Sequence, residues 1–283
     1  MSSSAVGYKS GSSQSWRFQG RALYHLSLIH ADTARSHIPK HLQNQLVVFP
    51  GNVTLGGYYL AHYDDSPAGA FDELVVMAGL VWDGPLSCAW AKRVLVNSTE
   101  AYKHGKRTCG LPSGRAKFEH SHEEKTTAWW DAKTPGVLRV TSREGPDRGH
   151  KAHIVVPALK DAHKKPAPPI RLAMPSFSGC TPHCPDLLKY ALQLKAKVHI
   201  LPHHREMHAE TRQLSKKDAS LHPEFMHGRP VVTLLFDRLD MHVDKPARVA
   251  SQNPKQQAER ATFAPLAHLA RWRPWPLQRQ CTA

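Results

Sequence analysis

The chain has 283 residues, of which 41% are hydrophobic and 22% are charged, so it can bury a sizeable core in one large domain or two small ones. Its 22 prolines and 17 glycines disfavour a helical bundle, and no apolar stretch reaches the roughly 20 residues of a membrane-spanning helix. The net charge of +15, concentrated after residue 100, would attract acidic partners, but no folded nucleic-acid-binding motif accompanies it. We therefore expect a soluble protein without a specific nucleic-acid partner.

The two ends of the chain differ in composition from the middle. Residues 1–15 are rich in Ser and Gly and lack both an apolar signal core and the arginines of a transit peptide. Residues 251–283 are basic and carry Trp272 and Trp275 among arginines, so they form either a disordered tail or a segment that binds a partner. We expect a flexible arm at 1–15, a folded domain at 16–250 and a disordered tail at 251–283.

The five cysteines form an odd, widely scattered set, which makes a poor disulfide framework. Such usage is typical of a reducing compartment. Together with the composition of the first fifteen residues, it leads us to expect a cytoplasmic protein, with the chloroplast as the alternative.

Short alternating or β-branched runs recur between turn signals and predict about ten strands. In chain order the predicted strands are 23–29, 58–63, 74–82, 89–96, 126–130, 137–141, 153–156, 191–200, 231–236 and 241–243. Because no long helical crossover separates them, a mainly antiparallel β fold is predicted, with the strands in a large sheet or barrel.

Two short helices are predicted between these strands. The first follows Asp32 and ends before Pro39, and the second begins near Pro185 and ends before the strand at 191. Residues 159–169 and 202–230 are polar and interrupted by proline or glycine, so both are predicted to be loops.

Motifs for nucleotide binding and for an α/β-hydrolase elbow do not occur in the sequence. Cys180, His183 and Cys184 could supply zinc ligands, but a structural zinc site needs four ligands and no second pair stands out. Four histidines lie between 199 and 208, where Pro202 breaks any continuous helix through them, so a solvated loop is predicted. We therefore predict neither a metal nor a cofactor.

Residue types that carry chemistry concentrate between 54 and 118. Glu73 begins a strand that is predicted to be buried. Desolvation there can raise the pKa of the carboxyl group and make it suitable for proton transfer. The alternative interpretation is a carboxylate at the end of a strand that pairs with an arginine. Lys106 stands beside Arg107, and a lysine next to a second cation in an apolar cavity can become a Schiff-base nucleophile. Spacing alone favours an exposed basic turn at this pair.

Several long motifs lie along the chain: W-x-F-x-G at 16–20, ALYHL at 22–26, GGYYLAHYDDSPAGAFDELVV at 56–76, SCAWAKRVLV at 87–96, GLPS at 110–113, MPSFSG at 174–179 and LLKYALQLKAKV at 187–198. Together these motifs resemble the neoxanthin-deficient family of plants and algae. The resemblance covers roughly residues 16–249. It implies an accessory role in making neoxanthin, a xanthophyll precursor of abscisic acid, without direct catalysis of the reaction.

That family is in turn similar to acetoacetate decarboxylase, which implies an acetoacetate decarboxylase-like β-barrel or cone with a few short helices and a funnel-like cavity. On this resemblance, an active-site arginine of the decarboxylase falls on Arg21, a cavity glutamate on Glu73 and a third glutamate on Glu100. Tyr58 stands where the decarboxylase has a second cavity glutamate, which counts against decarboxylation.

The position of the Schiff-base lysine depends on how the same resemblance is aligned. Counted from Glu100, the lysine falls on Lys106 and its cationic neighbour on Arg107. Counted back from Gly110, the lysine position falls on Arg107 instead. One inserted residue therefore leaves both alignments open.

These observations lead to one main hypothesis and one alternative. The main hypothesis is an accessory protein that binds a small or lipophilic ligand, or assists a xanthophyll-pathway protein, and that can form a homo-oligomer. Its expected cavity is bounded by Arg21, Tyr58, Glu73, Glu100 and Lys106. The alternative is a Schiff-base lyase acting on a β-keto acid or related carbonyl compound. There Lys106 is the nucleophile, Arg107 lowers its pKa, and Arg21 and Glu73 orient the carboxylate and manage the proton.

Overall fold

The computed structural model describes residues 15–120, 128–159 and 167–249, in which strands predominate. The strands are β1 (Trp16–His30), β2 (Val53–Asp65), β3 (Phe71–Asp83), β4 (Leu86–Val96), β5 (Ser113–His120), β6 (Gly136–Ser142), β7 (Lys151–Val156), β8 (Pro169–Thr181), β9 (Cys184–Leu201), β10 (Arg229–Val243) and β11 (Ala247–Arg248). The helices are α1 (Ala31–Ser36), α2 (Thr99–Arg107), α3 (Arg205–Lys217) and α4 (Pro223–Met226), with 3₁₀ turns at Lys40–Gln45 and Trp129–Asp131. The predicted mainly antiparallel β fold with few short helices is confirmed.

Seven strands close into a barrel in the order β1, β2, β3, β4, β8, β9, β10 and back to β1. Each neighbouring pair in this ring is antiparallel except β4 and β8, which run parallel where Ala89 pairs with Ser176 and Trp90 with Phe177. Closure matters because it removes the unpaired edges that an open sheet leaves exposed.

Strand β4 belongs to the barrel and also begins a smaller sheet. Its second half pairs in parallel with β5, through Val94 and Ser113. Strands β5, β6 and β7 then continue as an antiparallel extension, against which α3 packs. The short strand β11 pairs with β9, where Ala247 lies opposite Lys189.

The barrel is packed on both of its faces. One buried cluster draws on β1, β2, β3, β4, β9 and β10 together and includes Phe18, Tyr63 and Phe236, so it lies inside the ring. Successive strand residues point to opposite faces, and Leu60 and Leu74 are buried on the outer face, where α1 and α4 contact the first strands. Solvent is therefore excluded from both faces of β1, β2 and β3 over much of their length.

A close approach of two strands explains one glycine in β2. Gly57 has a positive φ of 125°, and a Cβ there would collide with the carbonyl oxygen of His25 on β1. Only glycine tolerates this combination of backbone angle and contact.

Three predicted elements are wrong in the described residues. The predicted helix near Pro185 is instead the start of β9. The predicted strand at 126–130 ends in the 3₁₀ turn Trp129–Asp131, while residues 126 and 127 lie outside the described ranges. The predicted loop at 202–230 contains α3 and α4, because Pro202 precedes the helix rather than interrupting it.

The expected domain boundaries after residues 15 and 250 stay a prediction. The chain forms a compact unit that ends at Arg248. The arm predicted at 1–15, apart from Ser15, and the tail predicted at 251–283 lie outside the described residues, as does most of the loop predicted at 159–169. No helix among the described residues is long and apolar enough to cross a membrane.

Candidate functional site

The barrel interior holds a cavity of about 340 Å³. All seven barrel strands and α2 contribute to its lining, which is mainly aliphatic and aromatic. Besides several tyrosines, its polar groups include Glu73, His104, Cys109 and Ser113. Apolar walls with few polar groups are typical of small-molecule binding sites in proteins.

The acid of the cavity is Glu73 on β3, which is half-buried and accepts a hydrogen bond of 3.0 Å from the hydroxyl of Tyr63 on the neighbouring strand β2. The carboxyl faces the cavity, while the surrounding protein keeps it away from bulk water. Burial raises the pKa of Glu73 from 4.5 to about 7, and the hydrogen bond from Tyr63 acts in the opposite direction. A carboxyl with this pKa can bind or release a proton near neutral pH.

Helix α2 brings its buried face into the cavity lining. The Ser98 side chain caps the helix by accepting a hydrogen bond of 3.2 Å from the backbone N–H of Ala101. Ala101, His104 and Gly105 are the buried residues of α2, and all three line the cavity. The imidazole of His104 packs edge-on against Trp16, with ring centroids 4.7 Å apart. Capping of α2 therefore helps to fix one wall of the site.

The cavity carries little charge at neutral pH. Burial lowers the pKa of His104, raises that of Cys109 to about 12 and raises that of Tyr63 well above its ordinary value. These groups are therefore neutral, whereas Glu73 changes its charge near pH 7. Such a site suits an uncharged or weakly polar ligand better than a strongly charged one.

Ser113 provides a hydroxyl group in the lining. Its Oγ is buried and makes no hydrogen bond within the described ranges. Buried polar atoms normally have a partner, so a ligand or water in the cavity would satisfy this one. A Cβ on Gly105 would lie 2.6 Å from the same oxygen, so this glycine leaves the space beside the hydroxyl open.

Of the residues that the sequence singled out, Glu73 lines the cavity, while Arg21 and Tyr58 lie on the opposite face of the sheet. Arg21 donates a hydrogen bond of 2.7 Å to Asp64 and forms an ion pair with it. Tyr58 is buried and stacks on His25, with ring centroids 4.8 Å apart. Strand alternation separates these two side chains from Glu73.

The other three singled-out residues lie on α2. Glu100 is exposed in its first turn, and Arg107 is exposed at its last residue. Lys106 is half-buried, and its Nζ donates a hydrogen bond of 2.8 Å to the hydroxyl of Tyr102. The structure therefore does not bring the six residues together at one point.

Sequence reasoning missed Tyr63, His104 and Ser113 as parts of the site. Alternation along β2 already assigns Tyr63 to one face of the strand, and Glu73 pairs with Ala61 on that same face. The alternation of side chains along β2 can be read from the sequence. Only the strand register shows that the tyrosine and the glutamate meet. Ser113 and His104 come from elements that the sequence did not predict.

The thiol and histidine motifs lie away from the cavity. Cys180 and Cys184 are free thiols at the turn between β8 and β9. His208 in α3 stacks between His25 and His203, with centroid distances of 5.3 and 4.4 Å. The predicted solvated histidine loop is therefore replaced by a helix whose His208 packs on the barrel.

Comparison with known proteins gives a consistent set of relatives. The chain is 38% identical to Protein NEOXANTHIN-DEFICIENT 1 of Oryza sativa subsp. japonica, over 89% of this chain and 94% of that protein. It is 36% identical to the protein of that name from Arabidopsis thaliana and 35% identical to that from Solanum lycopersicum, over 82% and 83% of this chain and 92% of each relative. No protein-family model matches the chain.

Solved structures show a weaker likeness. An acetoacetate decarboxylase from Legionella pneumophila aligns with a TM-score of 0.48 and 12% identity, over 88% of this chain and 98% of that one. The enduracididine biosynthesis enzyme MppR aligns with a TM-score of 0.47 and 12% identity, over 89% of this chain and 98% of that one. At these values no residue role is transferred from either structure.

Proposed function

The chain belongs to the NEOXANTHIN-DEFICIENT 1 family, and from this premise we propose that it is an accessory protein for neoxanthin formation that acts by binding a small or lipophilic ligand in the barrel cavity. The observation that carries the proposal is the mainly apolar cavity of about 340 Å³ with Glu73 and Ser113 in its wall. Membership of the family connects the chain to the xanthophyll pathway, and the cavity supplies a means of acting in it.

Size and polarity narrow the class of ligand. Ligand sites generally have volumes of about 300 to 1,000 Å³, so this cavity lies near the small end of that range. It suits a compact apolar molecule or one end of a longer lipid, with a hydroxyl or carbonyl group to meet Ser113 or Glu73. A role in ligand binding needs no reacting group, which agrees with the neutral tyrosines and thiol of the lining.

Filling the cavity tests the proposal. Ala91 lines the cavity from β4, so Ala91→Phe places a large ring in the ligand's space. We expect the variant to lose at least tenfold in affinity for an apolar fluorescent probe that the wild-type chain binds, and to fail to restore neoxanthin in a plant line that lacks its own family member.

Ala247→Phe is the matched control, since Ala247 is exposed on β11; it should bind the probe and restore neoxanthin as the wild type does. Circular dichroism verifies that both variants are folded. Full restoration of neoxanthin by a folded Ala91→Phe variant would contradict a role for the cavity.

The alternative function is that of a Schiff-base lyase with Lys106 as its nucleophile. One observation favours testing this function: Lys106 is half-buried and follows Gly105, which lines the cavity. The neutral amine would add to the carbonyl carbon of a β-keto acid, and water would leave as the iminium forms. Loss of carbon dioxide would leave its electron pair in an enamine, which a proton from Glu73 would convert back to the iminium for hydrolysis.

Borohydride reduction separates the two functions. If the main proposal holds, incubation with acetoacetate and borohydride leaves Lys106 unmodified in a peptide mass map. An adduct on Lys106 that persists in Lys103→Gln and disappears in Lys106→Gln would establish the lyase instead. Lys103 is the control because it is an exposed lysine on the same helix.

The proposed function also implies a cellular compartment, a partner and an assembly state for the protein. We propose that the protein acts in the cytoplasm, with the chloroplast as the alternative, that its partner is a xanthophyll-pathway protein, and that it can form a homo-oligomer. Support comes from the family relation and from the edge strand β11, whose two residues are exposed and offer a surface for pairing. Cell fractionation and light scattering of the purified chain test the compartment and the assembly state.

A further inference from the structure

Two histidines and a glutamate meet on the outside of the barrel, and one of the histidines is far from the other two residues in sequence. His37 follows α1, whereas His222 and Glu224 stand at the start of α4. Glu224 Oε1 lies 3.3 Å from His37 Nε2 and 3.3 Å from His222 Nδ1. One donor atom from each of the three side chains lies within 4.8 Å of the other two.

The contact of His222 Nδ1 with Glu224 Oε1 is a long hydrogen bond, and both contacts of Glu224 are also as long as the separation of two ligands on one metal ion. A bond from an imidazolium to a carboxylate is about 2.7 to 2.9 Å long, shorter than either contact. Zinc binds imidazole nitrogen and carboxylate oxygen at about 2.0 to 2.2 Å, so two ligands at a tetrahedral angle lie about 3.3 to 3.5 Å apart. Both contacts of Glu224 have the length of such an edge.

The cluster is held by packing on two sides. His222 has a φ of 45°, a left-handed backbone conformation that is uncommon for a residue other than glycine. The ring of Phe225, in α4, packs edge-on against His37, with centroids 4.9 Å apart. Since α4 also contacts β1, β2 and β3, the three side chains are positioned by the folded barrel and not by a loose loop.

A pocket of about 860 Å³ adjoins the cluster, and His37, His222 and Glu224 all belong to its lining. It is separate from the ligand cavity, with which it shares few lining residues. Water from this pocket could complete the coordination of a bound ion. Lys92 lines the same pocket and opposes a cation there, so we expect moderate affinity.

We propose that His37, His222 and Glu224 form a binding site for a divalent first-row transition metal such as zinc, with water in the remaining coordination position. Two imidazoles and one carboxylate are a donor set that binds zinc and neighbouring metals and leaves a position open. The proposal does not depend on the function proposed for the ligand cavity. It also differs from the Cys180–His183–Cys184 motif, which would bind metal through thiolates.

Cobalt provides a spectroscopic test on the full-length, untagged protein. We expect the wild type to bind one Co²⁺ per chain, with visible bands of a four- or five-coordinate site and no sulfur-to-cobalt charge transfer, and Zn²⁺ to displace it. His37→Ala, His222→Ala and the shape-conserving Glu224→Gln should each lower the affinity at least tenfold. His41→Ala should leave it unchanged, since His41 is an exposed histidine outside the cluster.

Three results would overturn the proposal: no stoichiometric metal on the wild type, equal binding by wild type and folded Glu224→Gln, or thiolate bands that disappear in Cys180→Ser. The first of these is read from the wild-type protein alone, so the proposal remains falsifiable even if an alanine variant fails to fold.

Discussion

At the level of single residues, Glu73 is the group whose chemistry depends most on the fold. In the sequence it is one of 23 acidic residues, and in the structure it faces a cavity lined mainly by apolar groups. The hydrogen bond from Tyr63 stabilises the charged form but does not compensate for lost hydration, so burial still raises the pKa of Glu73 to about 7. The cavity therefore gains a negative charge as the pH rises through neutrality.

This shift predicts a particular pH dependence of stability. Between pH 4.5 and about 7 the folded chain holds a proton on Glu73 that the unfolded chain has released, so the free energy of unfolding falls as the pH rises. The loss is complete above the folded-state pKa and amounts to at most about 3 kcal/mol. Glu73→Gln removes the titrating group and with it this loss of stability. The free energy of unfolding of the variant, relative to that of the wild type, should therefore increase from pH 4.5 to pH 8.

Urea unfolding of both proteins at the two pH values measures the difference. Glu100→Gln, at an exposed position on α2, serves as the control for the removal of a carboxyl group. A stability difference between Glu73→Gln and wild type that stays the same at both pH values would show that Glu73 is not desolvated as described.

At the level of elements, Arg93 joins the barrel to the β5–β7 extension. From β4 its guanidinium makes two hydrogen bonds of 2.9 Å to the carboxylate of Asp147. It also donates to the backbone carbonyls of Pro112, before β5, and Glu144, after β6. A Cβ on Gly114 would collide with the guanidinium, so glycine at this position leaves the room that the contact needs.

Removing one partner of this pair should destabilise the protein strongly. Both side chains are nearly buried, 13% exposed for Arg93 and 12% for Asp147, so Asp147→Ala leaves a positive charge without its counterion. We expect a loss of about 3 kcal/mol in the free energy of unfolding, measured by urea denaturation.

The matched control is Asp240→Ala, which breaks the pair of Asp240 with Arg17, whose side chain is 53% exposed. Pairs of this kind contribute less than about 1 kcal/mol. Equal losses in the two variants would mean that Arg93 is solvated and does not depend on its partner.

At the level of the whole molecule, closure of the barrel determines where the site lies. Strand β8 connects β9 to β4, and its pairing with β4 spans only a short parallel stretch. The cavity draws on all seven strands of the ring, so its walls exist only when the ring is closed. The compact unit that contains the ring ends at Arg248.

The domain boundaries predict that residues 16–250 fold without the rest of the chain. The truncated chain should show the β-type circular dichroism of the full chain and the same urea midpoint within error, because the barrel strands all lie within it. A fall in the midpoint, or aggregation of the truncated chain, would contradict these boundaries.

The sequence by itself determined much of the fold class. Alternation of apolar and polar residues is a local property, so it predicted β1, β2, β3, β4, β6, β7, β9 and β10 at least in part, and Pro39 correctly limited the first helix. It did not predict β8, whose Pro175 pairs with Ala191 of β9 and lies outside the short stretch paired with β4. The long motifs also indicated the family, which the relatives confirm.

The tertiary structure alone decided the composition of the cavity and of the outer histidine cluster. Glu73 and Tyr63 meet because of strand register, and His37 meets Glu224 across 187 positions of sequence because α1 and α4 pack on the same strands. Register also placed Arg21 and Tyr58 on the face away from Glu73. Local patterns record which face a side chain takes, whereas contacts between distant segments depend on pairing and closure, which are properties of the whole chain.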